Sequence, residues 1–258
     1  MKLIDTHTHL YLQEFNPDID QVIQRSFDAG VEKFYLPSID SSENNALLAL
    51  ENKFPQNIFA MAGLHPCSVN ENFKEELDEI QQQLLKRKFA AIGETGLDFY
   101  WDTSFAEQQY ESLHIHAGWA LQYKLPLVLH TRKAMQETID VVKSYTGKNL
   151  SGIFHCFSGT LQNAKDIIDM GFLLGIGGVL TYKNSGLAEV IKEIDLKYIV
   201  LETDAPYLPP VPFRGKRNES SYLTYVVQKL SEIKGIPVEE VAAQTTENAE
   251  RIFSGATD

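Results

Sequence analysis

The chain has 258 residues, 43 % of them hydrophobic and 22 % charged, and its 23 basic and 35 acidic side chains give a net charge of −12. That length suits one large α/β domain or two small ones, with the composition of an ordinary soluble globular protein. The acidity argues against broad, sequence-independent adhesion to nucleic acid, while leaving room for a local basic patch beside bound cations.

The chain opens on an apolar run, KLIDTH (2–7), that reads as a strand. Strand-like runs recur as KFYLPS (33–38), IFAMAGLH (58–65), FAAIGETG (89–96), PLVLHT (126–131), SGIFHCF (151–157), FLLGIGG (172–178) and YIVLETD (198–204). Between them lie amphipathic helical patterns over 18–28, 42–53, 73–87, 106–123, 133–145, 161–170 and 187–194, and two more helices over 222–233 and 237–252 close the chain. Strands alternating with helices imply right-handed βαβ units and a parallel sheet. Eight of them in about 250 residues predict a (β/α)₈ TIM barrel, with a doubly wound open sheet as the alternative. No linker, repeat or low-complexity tract breaks the rhythm, so a single domain over 1–258 is expected.

No basic segment followed by an apolar core opens the chain, and no apolar window reaches the length of a membrane span. Cys67 and Cys156 are the only cysteines and show no ribbon or disulfide spacing, which fits a reducing cytoplasm.

The C-terminal ends of the expected strands collect residues able to bind metals. They are His7 and His9, His65, Glu94, His130, His155, and Glu202 with Asp204. In a barrel these ends share one face, where active sites form. Five of the seven histidines fall there. His7 and His9, two apart on a strand, would project from one face, as a chelate or as hydrogen-bonded core residues. His114 and His116 share that spacing inside a helical pattern, where residues two apart diverge, so they read as packing residues.

Four histidines (His7, His9, His130, His155) and two carboxylates (Glu94, Asp204) exceed what one catalytic tetrahedral metal takes. They suit two divalent ions roughly 3.5–4 Å apart, with Glu94 as the bridge. Imidazole-rich ligation favours Zn, Mn, Fe or Co over an all-oxygen Mg site, although mixed sites take several metals, so two divalent ions (Zn, Mn or Mg) are expected.

The blocks THTHL (6–10), GLHP (63–66), IGETGLDFY (92–100), LVLHTR (127–132), GIFHCFSG (152–159), LETDAPYL (201–208) and RGKRNESSYL (214–223) resemble, in order, those of the TatD family of metal-dependent deoxyribonucleases. These belong to the amidohydrolase-like barrels. The last block departs from the family pattern in carrying Ser220 where Pro is usual. The resemblance implies that His7, His9 and Asp204 hold one ion, His130 and His155 the other, and Glu94 bridges them. It also implies that Asp204 orients or deprotonates the attacking water. The family's activity would be 3′–5′ exonuclease-like, with DNA as partner and single-stranded or frayed ends favoured, and no obligate protein partner is evident. Relatives that cleave phosphotriesters or lactones carry a carboxylated lysine where this chain has Glu94.

His65 is expected to contact a substrate phosphate. Glu202 should share the inward face of Asp204, either at the substrate or behind a metal-bound histidine. Arg132, Arg214, Lys216 and Arg217 are the concentrated positive charges near the expected mouth and are assigned to substrate phosphates. Asp98, Tyr100 and Trp101 form a polar and aromatic rim, with the two aromatics open between base stacking and packing. Gly175, Gly177 and Gly178 read as a tight strand end, and Cys156 as pointing outward from His155. Three functions are in play. They are a two-metal phosphodiesterase on DNA, another amidohydrolase-type hydrolase of a small phosphoester, lactone or amide, and a non-catalytic barrel.

Overall fold

The computed structural model describes residues 1–254, so the last four positions of the expected 1–258 unit lie outside the described residues. Its strands are β1 (Leu3–Asp5), β2 (Val31–Leu36), β3 (Ile58–Ala60), β4 (Ile92–Asp98), β5 (Leu127–Arg132), β6 (Gly152–Phe154), β7 (Phe172–Ile176) and β8 (Ile199–Leu201). All neighbouring pairs are parallel, in the orders β1-β2-β3 and β4-β5-β6-β7-β8. Backbone bonds continue across both seams. Gly93 N–H donates to the Ala62 carbonyl at 2.8 Å, and Thr6 N–H donates to the Leu201 carbonyl at 3.0 Å. The order never reverses, which removes the doubly wound alternative and leaves the (β/α)₈ barrel.

The helices are α1 (Ile19–Asp28), α2 (Asn44–Lys53), α3 (Phe73–Lys86), α4 (Ala106–Tyr123), α5 (Met135–Lys143), α6 (Leu161–Asp169), α7 (Leu187–Lys192), α8 (Leu223–Lys234) and α9 (Val238–Ile252). They match the expected patterns closely because one stripe of each buries against the sheet. In α4 that stripe is Gln109, Ser112, Leu113, His116, Ala117 and Ala120. Local chemistry sets the ends. A Thr160–Asn163 capping box opens α6, and Gly235 at φ +67 closes α8. Among the described residues no helix is long and apolar enough to cross a membrane.

One apolar cluster draws a residue from each strand or its immediate flank: Ile4, Tyr35, Met61, Ala91, Val128, Ile153, Leu173 and Val200. Phe253, just past α9, stacks on Tyr35 at 3.7 Å within it. This is the barrel's interior layer. Strand period then places His130, His155, Gly175 and Glu202, each two residues further on, in the next layer toward the C-terminal mouth. The fold thus lifts the candidate ligands from a dry floor.

Candidate metal centre

The expected strands overrun at several of these ends. Strand β1 stops at Asp5, so His7 and His9 lie in the turn beyond it rather than on one strand face. There the backbone bonds both neighbours, Thr8 N–H donating to the Tyr35 carbonyl of β2 at 3.2 Å, Asp204 N–H to the His7 carbonyl at 2.9 Å and His9 N–H to that of Ala205 at 2.7 Å. Buried Asp5 ties the ends of β1 and β8 together, accepting Thr203 N–H at 2.9 Å and His7 N–H at 3.4 Å. His65 likewise lies past β3, capping a short turn at Pro66–Ser68. Asp204 follows β8 with φ +56.

These segments converge on Glu94, whose side chain is 2 % exposed. Its Oε2 lies 3.1 Å from His7 Nε2 and 3.6 Å from His9 Nε2. Its Oε1 lies 2.9 Å from His130 Nδ1, 2.9 Å from His155 Nε2 and 3.5 Å from His65 Nε2. One carboxylate therefore divides five imidazoles between its two oxygens. Asp204 joins on the first side, its Oδ1 3.5 Å from His9 Nε2 and 3.8 Å from His7 Nε2. Three overlapping triads have ligand atoms within 4.8 Å of one another: His7–His9–Glu94, His7–His155–Asp204 and His65–Glu94–His130.

Hydrogen-bond partners fix which imidazole nitrogens carry lone pairs. Tyr11 gives its hydroxyl hydrogen to the Pro37 carbonyl at 2.7 Å, so at 3.1 Å from His9 Nδ1 it accepts. His9 therefore holds its proton on Nδ1 and turns a bare Nε2 to the site. At His65 the logic runs the other way. Cys67 N–H donates to Nδ1 at 3.0 Å, so the neutral ring carries its proton on Nε2, the nitrogen facing Glu94. His9 is thus set up as a ligand and His65 as a donor.

Burial pushes the Glu94 carboxyl up, but His155, His7 and His65 hold it well below its ordinary value. His155 shows the reciprocal effect, its burial outweighed by Glu94 and Glu202, which raise it well above the ordinary imidazole range. Burial drives His7 down and His65 down to about 3. His7 and His65 thus resist protonation, whereas His155 favours the charge that balances the Glu94 carboxylate. A cation is the partner that satisfies such lone pairs together. Buried His7 Nδ1, His155 Nδ1 and Glu202 Oε2 have no hydrogen-bond partner. The donor set fits divalent ions.

Behind the candidate ligands stands a second row. Asp98 Oδ2 lies 2.9 Å from His130 Nε2, opposite the Nδ1 that meets Glu94. Burial raises the Asp98 carboxyl, yet the His130 bond and the Tyr100 and Trp101 N–H groups bring it below the ordinary range. Glu202 is fully enclosed behind His155, with Oε1 3.4 Å from Nδ1 and 2.5 Å from the Cys156 N–H it accepts. That corrects its assignment to the substrate, because an enclosed carboxylate has no edge to offer one. Gly175 makes room for it, since a Cβ there would lie 2.2 Å from Glu202 Oε2. Cys156 is also corrected. Strand β6 ends at Phe154 and Cys156 adopts φ +47, so alternation no longer sets its direction. Its backbone N–H faces Glu202 Oε1, and burial, then Asp204, Glu202 and Glu94 push its thiol well up.

At the mouth, Arg132 is exposed and its guanidinium lies 4.0 Å over the Tyr100 ring. Arg214 lies 4.3 Å over Tyr182 and lines a cavity of about 430 Å³ with Lys183 and Val211. Lys216 is exposed beside Phe213. Arg217 is drawn elsewhere, both terminal nitrogens bonding Asp18 at 2.8 Å with the guanidinium over Phe15. Its expected phosphate contact is corrected to a tie between the loop and the start of α1. His116 is a packing residue, as expected, accepting Leu64 N–H and donating to the Ser112 carbonyl. Sequence reading missed Tyr11, and it left Asp98 on the rim. Asp98 stands four residues after Glu94 on β4, a period-2 signal that places both on one face.

Residues 4–254 match the family model described as TatD related DNase. The chain is 36 % identical to the Bacillus subtilis (strain 168) metal-dependent hydrolase YabD over 97 % of this chain and 98 % of that one. It is 31 % identical to a protein of Erwinia tasmaniensis named 3′-5′ ssDNA/RNA exonuclease TatD, covering 98 % and 100 % of the two. The crystal structure of YjjV, a TatD homolog from Escherichia coli K12, superposes with a TM-score of 0.92 at 32 % identity, covering 98 % of each chain. On the barrel, the His-rich centre and these matches together, the chain belongs to the TatD family of metal-dependent hydrolases.

Proposed function

We propose that the chain is a two-cation phosphodiesterase that shortens single-stranded nucleic acid, DNA foremost, from the 3′ end. The observation that carries this reading is the division of the imidazoles between the two oxygens of Glu94. His7, His9 and Asp204 would hold one ion, His130 and His155 the other, and Glu94 both. The name of the Erwinia relative supports the polarity and the substrate.

Bound divalent cations supply the positive charge that acidifies water and offsets charge on phosphoryl oxygens. The side chains do the rest. Asp204 is 14 % exposed while Glu94 is 2 %, so Asp204 is the carboxylate that reaches water and accepts its proton. His65 donates its Nε2–H to a phosphate oxygen, the role its Nδ1 contact with Cys67 N–H prescribes. Arg132, Arg214 and Lys216 attract the remaining phosphates of the strand. The same centre is chemically able to hydrolyse a small phosphoester, but no observation favours that reading over a nucleic acid.

A 5′-labelled single strand tests the proposal. With Mg²⁺, Mn²⁺ or Zn²⁺ the product ladder should shorten from the 3′ end, a chelator should stop it, and Asp204→Asn should slow it by about 10²-fold or more. Protein that shortens no strand with any of these ions, while hydrolysing a small phosphoester, would refute the substrate assignment.

A further inference from the structure

The rim between β4 and β5 carries two aromatic rings that the hydrolytic chemistry leaves unused. Trp101 is 68 % exposed and Tyr100 46 %, two large rings adjacent in sequence and in contact edge to face at 4.9 Å. Arg132 caps both, its guanidinium carbon 4.0 Å from the Tyr100 centroid and 5.1 Å from that of Trp101. Lys133 adds a second cation 5.2 Å from Tyr100. A tryptophan left this open in water gives up most of the burial that usually holds it. Here the ring has an accessible face with cations beside it.

The surface is fixed to the metal centre by a single side chain. Asp98 Oδ1 accepts the backbone N–H groups of Tyr100 at 2.9 Å and Trp101 at 3.2 Å, while Oδ2 meets His130 Nε2 at 2.9 Å. Arg132 is the register partner of Asp98 and stands two residues after His130 on β5. Rings, guanidinium and candidate ligand are thus held in one frame by adjacent strands. An exposed π-face beside cations, on a chain of net charge −12, is complementary to a flat, uncharged base carried on an anionic backbone.

We propose that Tyr100, Trp101 and Arg132 form a binding site for an unpaired nucleobase of the strand whose phosphodiester enters the metal centre. This rests on the phosphodiesterase reading above. The base stacks on Trp101, Tyr100 buttresses that ring, and Arg132 meets the phosphate between this base and the next. A base inside a duplex has both faces covered by its neighbours and cannot be received. The site therefore selects single-stranded ends by stacking, independent of base identity.

The chain has two tryptophans, and Trp119 in α4 is buried, so a ligand stacking on Trp101 quenches the accessible fluorescence. The full chain is titrated in chelator with a single-stranded oligonucleotide and with a strand of the same length that is abasic throughout. The intact strand should quench and should bind about 5- to 150-fold more tightly than the abasic strand. Trp101→Ala should remove that difference, and Trp101→Phe should keep most of it. With cation present, Trp101→Ala should raise KM for the intact strand by a similar factor and change kcat little. Equal binding of intact and abasic strands by the wild-type chain would overturn the proposal, as would unchanged KM in Trp101→Ala. Base-dependent binding without hydrolysis of any strand would uphold the stacking site and overturn the phosphodiesterase reading.

Discussion

The hydroxyl of Tyr11 stands 3.1 Å from His9 Nδ1 and spends its only hydrogen on the Pro37 carbonyl. It decides the tautomer of a candidate ligand from outside the ligand shell. Tyr11→Phe leaves that imidazole free to carry its proton on Nε2, toward Glu94 and Asp204. Cation affinity should fall by about 10- to 100-fold, the usual cost of losing an outer-shell partner. Competition against a chelating dye measures this, and unchanged affinity would place the tautomer under other control.

Glu202 acts through His155, and Gly175 acts through Glu202. Gly175→Ala drives a methyl group to 2.2 Å from Glu202 Oε2 and 3.1 Å from the His155 Cα. It should therefore lower hydrolysis by about the same 10- to 100-fold as Glu202→Gln, and should also destabilise the fold by about 1–3 kcal/mol through overpacking. Rates and urea midpoints of the two single variants and the double variant separate the effects. Independent, multiplicative losses would contradict a shared route.

Arg214 and Arg217 differ by three positions and should behave differently. Arg217 is engaged by Asp18, so Arg217→Ala should cost at most about 1 kcal/mol of stability and leave KM for an oligonucleotide nearly unchanged. Arg214→Ala removes an exposed cation beside Tyr182, so KM should rise and its salt dependence weaken. Steady-state kinetics at two ionic strengths distinguish them.

His116 supplies a pH signature in stability. Burial lowers its imidazole to about 4 against an ordinary 6.5, with the Ser112 carbonyl opposing. The unfolded chain therefore takes up a proton that the folded chain refuses. This contribution is intact above about pH 6.5 and is lost as pH falls toward 4, by about 3 kcal/mol in all. Unfolding free energies at pH 7 and 4.5 should differ less in His116→Gln than in the wild-type chain.

The barrel and its ring of candidate ligands were legible because both rest on periodicity. Alternation from Val128, Ile153 and Val200 carries directly to His130, His155 and Glu202. What was not legible depends on distant partners or on where alternation stops. Strands β1 and β3 are three residues long, and just past them Thr6 bonds the β8 residue Leu201 and Ala62 bonds Ala91 and Gly93 at the start of β4. Cys156 was misdirected by extending β6 past Phe154. Arg217 was assigned to phosphate because Asp18, its partner, lies 199 positions away. The tautomer of His9 depends on a carbonyl at Pro37 that no local pattern connects to it.

The most direct test of the proposed two-cation centre is the rate at which metal-free protein, titrated with Mn²⁺, shortens a labelled single strand, beside Glu94→Gln under the same titration. If Glu94 joins two ions, the rate should climb until about two equivalents are bound. The variant should bind less cation and lose about 10²-fold or more of the activity at saturation. Full activity at one equivalent, or a variant as active as the wild-type chain, would contradict the account.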